Sequence, residues 1–304
     1  MGVATGSAEE FESHRPRLFG LAYRMLGSAA EAEDVVQDAY LRWSRADRDR
    51  VDRPGAWLAK VVTNLCLNRL ASARARREEY PGPWLPEPVV TADGVLDPLE
   101  AAERRDTVST ALLVLLERLT PTERAVYVLR EAFAYSHREI AGVLGVGEAN
   151  SRQLHRRAAA RVAAAEPRFS EPDGRRHREL VESFVAAARD GDLASLERTL
   201  AADVVWISDG GGAVPAARRP VEGRGRVLRF LAGLLPRYAD GLSLACAELN
   251  GAPALVAWSG PALLTVASFV VRDGAVAVVH NVAAPDKLAF VARRLSHPRG
   301  PAGS

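Results

Sequence analysis

The sequence predicts a multidomain chain: two all-α domains, the second built around a helix-turn-helix, followed by an α+β domain. Three observations lead there. Helix-start signals of the capping-box type recur in the first half, at Ser28/Glu31, Thr120/Glu123 and Ser136/Glu139. Two breaks, a Pro-rich stretch over 81–105 and a second at 166–174, interrupt the helical pattern. After the second break the apolar period turns from helical to alternating, with hairpin dipeptides Asn250-Gly251 and Asp273-Gly274 between short runs. The boundaries that follow are 9–80, a linker over 81–105, 106–166, and 175–296.

Within 11–78, Leu18, Leu21, Ala22 and Met25 recur at i, i+3, i+4, i+7, the spacing of one buried helix face. Gly27 ends that helix and Ser28 caps the next. Ala32, Val35, Val36, Ala39, Tyr40 and Trp43 supply the second helix with its apolar stripe. Pro54 suits the first turn of a third helix, where Trp57, Val61 and Leu65 are expected to face inward. Pro81, Pro83, Pro86, Pro88 and Pro98 make the next segment extended. Trp84 and Leu85 within it are too apolar for a free linker, and are expected to dock on a surface. Helices resume near Asp106. Beyond 175, helices over 177–189, 192–200 and 222–235 enclose the apolar run Val204–Ile207. A strand meander then runs through 242–249, 254–258, 263–271 and 275–282.

Composition narrows the function. The chain has 304 residues, 48% of them hydrophobic, which is enough for packed cores and too apolar for a disordered protein. The net charge is only +2, yet Arg gathers at 69–77 and 152–161 while acid gathers at 93–106. Basic stripes on a nearly neutral chain suit a nucleic-acid face, although charged helix surfaces of this kind also occur with no partner. Cys66 and Cys246 each sit in apolar surroundings, as reduced thiols do, and no Cys/His cluster has metal-ligand spacing. No signal-peptide pattern opens the chain, and the apolar run Pro261–Val271 is too short to span a bilayer. A cytoplasmic protein without metal, cofactor or membrane partner is expected.

The motif richest in chemistry lies between His137 and Arg156. Ile140, Leu144 and Leu154 take core positions, Ala141 is small where helices cross, and Gly145 occupies the turn. The second helix then presents Arg152, Gln153, His155, Arg156 and Arg157. Arg pairs bidentately with guanine, and Gln with adenine, in a major groove. On the third helix, Lys60, Asn64 and Asn68 recur every four residues and Arg69 follows; Asn is a poor helix former, so the pair invites a base-reading role. Two tolerated surface Asn residues would look the same. Glu33, Asp34, Gln37 and Asp38 make an acidic patch on the second helix, either a solvated face or a dock for a basic protein.

In order, these segments resemble the extracytoplasmic-function (ECF) RNA polymerase sigma factors. FGLAYRMLGSAAEAEDVVQDAYLRW resembles their first helices and polymerase-docking helix, AWLAKVVTNLCLNRLASARAR their −10 helix, and LTPTERAVYVLREAFAYSHREIAGVLGVGEANSRQLHRRA their −35-reading domain. RREEYPGPWLPEP, WISDGGG and Pro285-Asp286-Lys287-Leu288 are similar to members bearing a SnoaL-like C-terminal extension, a cone-shaped α+β barrel. Ala213 stands where those members commonly have a basic residue, and Ala284 where Asn is common. The resemblance implies that Asp34, Gln37 and Asp38 dock on core polymerase. It implies that Asn64, Asn68 and Arg69 hold the melted −10 strand, with a base pocket between Arg45 and Trp57. Arg152, Gln153, His155, Arg156 and Arg157 would read the −35 duplex. Trp84, Asp209, Gly210, Gly211, Gly212, Asp286 and Lys287 would carry regulation between linker and C-terminal domain.

Two other readings stay open from the sequence. One is a helix-turn-helix repressor or activator that senses a small molecule in its C-terminal pocket. The other is a cyclase-like enzyme, with Trp206, Asp209, Trp258, His280 and Asn281 lining a cavity and Asp209 and His280 as an acid/base pair. A core His and a turn-forming Asp are the plainer account of the last two, so no catalytic residue is assigned.

Overall fold

The computed structural model describes residues 2–78, 80–91, 108–165, 174–238 and 241–295. The chain forms two compact units. One comprises residues 1–78 and 91–165, the other residues 79–90 and 166–304. The expected helix start near Asp106 and the acidic stretch over 93–106 lie outside the described residues.

The first unit is helical. Helices α1 (Gly2–Leu26), α2 (Ala29–Trp43) and α3 (Pro54–Glu78) come first, with a 3₁₀ turn at Arg48–Arg50. Gly27 closes α1 at φ 69°, and the Ser28 side chain accepts the Glu31 amide to open α2. Leu18, Leu21, Ala22 and Met25 are buried as the spacing requires, as are Ala32, Val35, Val36, Ala39 and Trp43; Tyr40 is only partly covered. On α3 the expected inner row needs correction. Leu58, Ala59, Val62, Leu65, Cys66 and Leu70 are buried, while Trp57 and Val61 are half-buried. Trp57 instead packs at the edge of the core, its ring 5.6 Å from that of Trp43.

Among the described residues of this unit, helices α4 (Thr110–Leu116), α5 (Pro121–Glu131), α6 (His137–Leu144) and α7 (Glu148–Ala165) follow. Thr120 with Glu123, and Ser136 with Glu139, form reciprocal capping boxes, so two otherwise orphaned amides are satisfied at each start. Helix α5 packs on α1 and α3, and α6 on α3. Arg124 is buried in that packing. Its Nε donates to the Arg24 carbonyl at 3.0 Å and its Nη1 to Glu117 at 2.5 Å. Burial pushes the Arg124 pKa down to about 9, and the Glu117 carboxylate and Arg24 carbonyl are hydrogen-bond partners of the buried guanidinium.

The second unit is an α+β domain. Helices α8 (Gly174–Asp190), α9 (Leu193–Thr199) and α10 (Arg224–Leu234) accompany a six-stranded sheet of order β2-β1-β6-β5-β4-β3. The strands are β1 (Leu200–Asp209), β2 (Val221–Glu222), β3 (Leu242–Leu249), β4 (Ala252–Ser259), β5 (Ala262–Arg272) and β6 (Ala275–Val282). Asn250-Gly251 and Asp273-Gly274 take positive φ at both residues, which two-residue hairpin turns demand. Strand β1 pairs parallel to β6, and the other ladders are antiparallel. Bulges at Ala257/Trp258 and Val270/Val271 bend the sheet. Its inner face packs Val204, Trp206, Leu255, Ala257, Ala267, Phe269 and Val279 against Val181 and Phe184 of α8 and Val227 and Leu231 of α10. The outer face carries α11 (Pro285–Ala292), packed on β5.

Candidate functional surfaces

In the first unit, Asp34 and Gln37 are exposed and Asp38 is partly so. With Leu41, which is 45% exposed, they fall at i, i+3, i+4 and i+7 and form one stripe on α2. The resemblance implies separate tasks for Arg69 and for this stripe. The structure brings them together: Arg69 pairs with Asp38 at 3.1 Å and with Asp34 at 3.5 Å, and donates to the Glu31 carbonyl at 3.2 Å. Asn64 is half-buried and Asn68 exposed on the same helix as Arg69. Arg74, Arg76 and Arg77 lie where side chains are not described.

Helices α6 and α7 flank the turn at Gly145, which has φ 68°. Ile140, Val143 and Leu154 are buried; Val143 takes the core place expected of Leu144, which is only half-buried. Arg152, Gln153, Arg156 and Arg157 are exposed on α7. His155 is partly covered and bonds Glu131 at 2.7 Å, and Arg152 pairs with Glu148 one turn back at 2.5 Å. Arg157 and Arg161 both reach the buried Glu123, at 3.5 and 2.5 Å. Gln153 and Arg156 thus stand out as side chains turned to solvent on a rigid, capped scaffold.

The second unit holds a buried polar node that the sequence signalled only in pieces. Asp209, at the end of β1, is 1% exposed. Its carboxylate accepts from the Tyr80 hydroxyl (2.6 Å), the Leu85 amide (2.8 Å) and the Gly211 amide (3.0 Å), and pairs with Lys287 at 2.6 Å. Lys287 also donates to the Leu85 carbonyl at 2.7 Å and lies over the rings of Trp84 (4.2 Å) and Tyr80 (4.8 Å). Burial pushes the Lys287 pKa down while the Asp209 charge opposes that shift; burial and then the bond to Asp209 raise that of Tyr80. Farther along, the Val89 amide donates to the Asn250 side chain at 3.1 Å, the Asn250 amide donates to the Val89 carbonyl at 2.9 Å, and Val90 bridges Leu249. Leu85, Val89 and Val90 are buried.

The glycine run makes this seat possible. Gly211 and Gly212 have φ 61° and 73°, and a Cβ on Gly212 would come within 2.7 Å of Pro81 Cγ. Asp286 is exposed in the first turn of α11. Ala284 precedes that helix and supplies no side-chain cap; its amide donates to the Asp209 carbonyl instead, at 3.0 Å.

The grouping that a cyclase-like enzyme would need does not form. Phe184, Trp206, Ser208, Phe230, Thr265 and Asn281 are among the residues around a cavity of about 180 Å³ on the inner face, whereas Asp209, Trp258 and His280 are absent from its lining. Asp209 is committed to Lys287 and the linker. His280 is buried, its pKa is pushed down to about 4 by that burial, and its Nδ1 has no partner among the described residues. The described residues contain no group of His, Cys, Asp and Glu that could hold a metal. None of the described helices is long and apolar enough to cross a membrane. Cys66 and Cys246 are both free thiols.

Comparison with known proteins accords with this geometry. Residues 11–76 match Sigma-70 region 2 and residues 109–162 match Sigma-70, region 4. The chain is 41% identical to the ECF RNA polymerase sigma factor SigJ of Mycobacterium tuberculosis over 288 residues, which is 91% of this chain and 92% of that protein. It is 32% identical to the probable ECF RNA polymerase sigma factor SigI of the same organism, over 91% of this chain and 93% of the relative. The crystal structure of M. tuberculosis SigJ superposes with a TM-score of 0.74 at 37% identity, covering 93% of this chain and 98% of that one. The helix-turn-helix with its reciprocally capped first helix, the helices before it and the mixed-sheet domain occur in one chain that aligns with these relatives over nine-tenths of its length, and the chain belongs to the ECF RNA polymerase sigma factors, the promoter-specificity factors of bacterial transcription.

Proposed function

We propose that promoter recognition is divided among three surfaces and is regulated in cis by the C-terminal domain. The stripe Asp34, Gln37, Asp38 and Leu41 docks on core RNA polymerase: an exposed apolar residue amid acids suits a basic, partly apolar partner. Asn64, Asn68 and Arg69 hold the −10 strand, and Arg152, Gln153, His155, Arg156 and Arg157 read or clamp the −35 duplex. Arg157, tied to Glu123, suits a phosphate contact better than a base contact. These partners, core polymerase and promoter DNA, put the protein's work in the cytoplasm.

The observation that carries the regulatory part is the Asp209–Lys287 node. It seats the segment that directly follows α3, so the state of the C-terminal domain sets whether that segment is bound or released. The C-terminal domain works here as a regulator with a small-molecule input and not as an enzyme, because its cavity lining carries no ionisable side chain. The test of promoter specificity is to sequence the 5′ ends of transcripts that core polymerase makes on genomic DNA with and without the protein. A new set of starts sharing −10 and −35 elements is expected. Starts identical to those of core polymerase alone would contradict the reading.

A further inference from the structure

We infer that the inner cavity of the C-terminal domain binds a small neutral molecule, one ring in size with a single hydrogen-bond-accepting oxygen, and that its occupancy is transmitted to the linker seat. The inference rests on the reading above of the C-terminal domain as a cis regulator with a small-molecule input, and the binding and its transmission are tested separately.

The lining sets the chemistry. Phe184, Trp206, Phe230, Leu244, Leu255 and Ala257 make the walls apolar, and no lining residue is charged, so an ion would lose its hydration without compensation. The volume of about 180 Å³ is close to that of the ~150 Å³ apolar cavity known to accept benzene. A polar end is built into one side. Ser208 and Asn281 are register partners on adjacent parallel strands, and both line the cavity. The Ser208 Oγ accepts from Trp206 Nε1 at 3.0 Å, and the Asn281 Oδ1 lies 2.8 Å from the Thr265 hydroxyl. The first bond uses an acceptor; in the second, the one Thr265 hydroxyl hydrogen is shared between Asn281 Oδ1 and the Val282 carbonyl, also 2.8 Å away. The Ser208 hydroxyl hydrogen and the Asn281 amide hydrogens have no acceptor among the described residues. Two neighbouring unspent donors in an apolar chamber fit a ketone, ester or lactone oxygen.

The same residues give the cavity a connection to the linker. Side chains alternate along β1, so Ser208 faces the cavity and Asp209, the next residue, faces the linker. Val214 and Ala216 also line the cavity and lie against Gly210, where a Cβ would be 2.7 Å from the Val214 carbonyl and 2.8 Å from Ala216 Cβ. Gly212, two residues on, lies against Pro81. One short glycine turn therefore separates cavity wall from linker, with close packing on both sides and little room to yield.

The experiment uses the full-length protein and three probes of matched size: acetophenone, ethylbenzene, which lacks the oxygen, and benzoate, which is charged. Binding is read by calorimetry and ligand-observed NMR. Acetophenone is expected to bind about tenfold more tightly than ethylbenzene, and benzoate not at all. Ser208→Ala and Asn281→Leu should each weaken acetophenone about tenfold and leave ethylbenzene unchanged, which also shows that the variants fold. Ala257→Phe, which fills the chamber, should abolish both. Hydrogen exchange over residues 80–90 should change on adding acetophenone. No acetophenone binding up to its solubility limit, or binding indifferent to all three substitutions, overturns the cavity assignment. Saturated binding with unchanged exchange over 80–90 overturns the transmission while leaving the cavity assignment standing.

Discussion

Replacing Asp209 by Ala should release the linker from the C-terminal domain. The carboxylate is buried and serves four donors: the Tyr80 hydroxyl, the Leu85 and Gly211 amides, and the Lys287 ammonium. Removing one partner of a buried ion pair costs about 3–5 kcal/mol, because the other charge stays buried and unpaired. Each orphaned donor adds about 1–3 kcal/mol when no water can reach it. The whole domain has only about 5–15 kcal/mol to lose, so the cheaper response is local. The segment from Tyr80 to Val90 detaches and Lys287 reaches water. The expected result is loss of exchange protection at the Leu85 and Val89 amides, with the sheet still protected and thermal stability lowered by about 3 kcal/mol. Lys287→Met should do the same from the other side. The double variant Asp209→Ala/Lys287→Met should cost at least 2 kcal/mol less than the two singles added together, since neither charge is then stranded. Undiminished protection at Leu85 in Asp209→Ala, or strict additivity in the cycle, would refute the reasoning.

Three further outcomes follow from the same structure. Arg156→Ala should lower transcription from −35-dependent promoters by about ten- to a hundredfold, the value of one bidentate base contact of ~1–3 kcal/mol; unchanged output from every promoter would remove it from the interface. Asp38→Arg should weaken and slow binding to purified core polymerase while the far-ultraviolet circular dichroism stays the same, because it reverses a charge on the exposed stripe and repels Arg69, now 3.1 Å away; wild-type association kinetics would exclude that stripe as the dock. Stability of the C-terminal domain should fall as pH drops from about 6.5 towards about 4. His280 binds a proton near 6.5 when unfolded but near 4 when buried, so the unfolded state holds more protons in that window. The gap is worth about 3 kcal/mol, fully present above 6.5, and His280→Gln should flatten the profile; an equally steep acid limb in that variant would assign the effect elsewhere.

What could be read from the sequence was what is decided locally. The caps at Thr120 and Ser136, the turn glycine at 145 and the Asn-Gly and Asp-Gly hairpins each depend on residues within a few positions. The inner face of α3 was misjudged by one residue, because the row Trp57, Val61, Leu65 and its neighbour Leu58, Val62, Leu65 share a member and both look apolar. Of the five residues named for a C-terminal pocket, strand parity lets only some face it: Trp206 and Asn281 line the cavity, and Asp209, Trp258 and His280 do not. Trp206 and Asp209 are three apart, and His280 and Asn281 are adjacent, so each pair must point to opposite faces of the sheet. Alternation alone could have shown that. No local signal could have joined Asp209 to Lys287, or Arg69 to Asp34 and Asp38, since those pairs form only when separate elements pack. The glycine run marked a tight turn open to close approach, and the resemblance linked it to the linker, but nothing local showed that Pro81 lies against Gly212.

The central claim, control of promoter use by the C-terminal domain, is tested most directly by transcription with purified core polymerase. The full-length chain is compared with a chain ending at residue 170, in rate, polymerase affinity and choice of start sites. The account predicts that truncation changes at least one of these, and that Asp209→Ala in the full-length chain shifts the same quantity in the same direction. A truncated chain that matches the full-length protein in all three would contradict it.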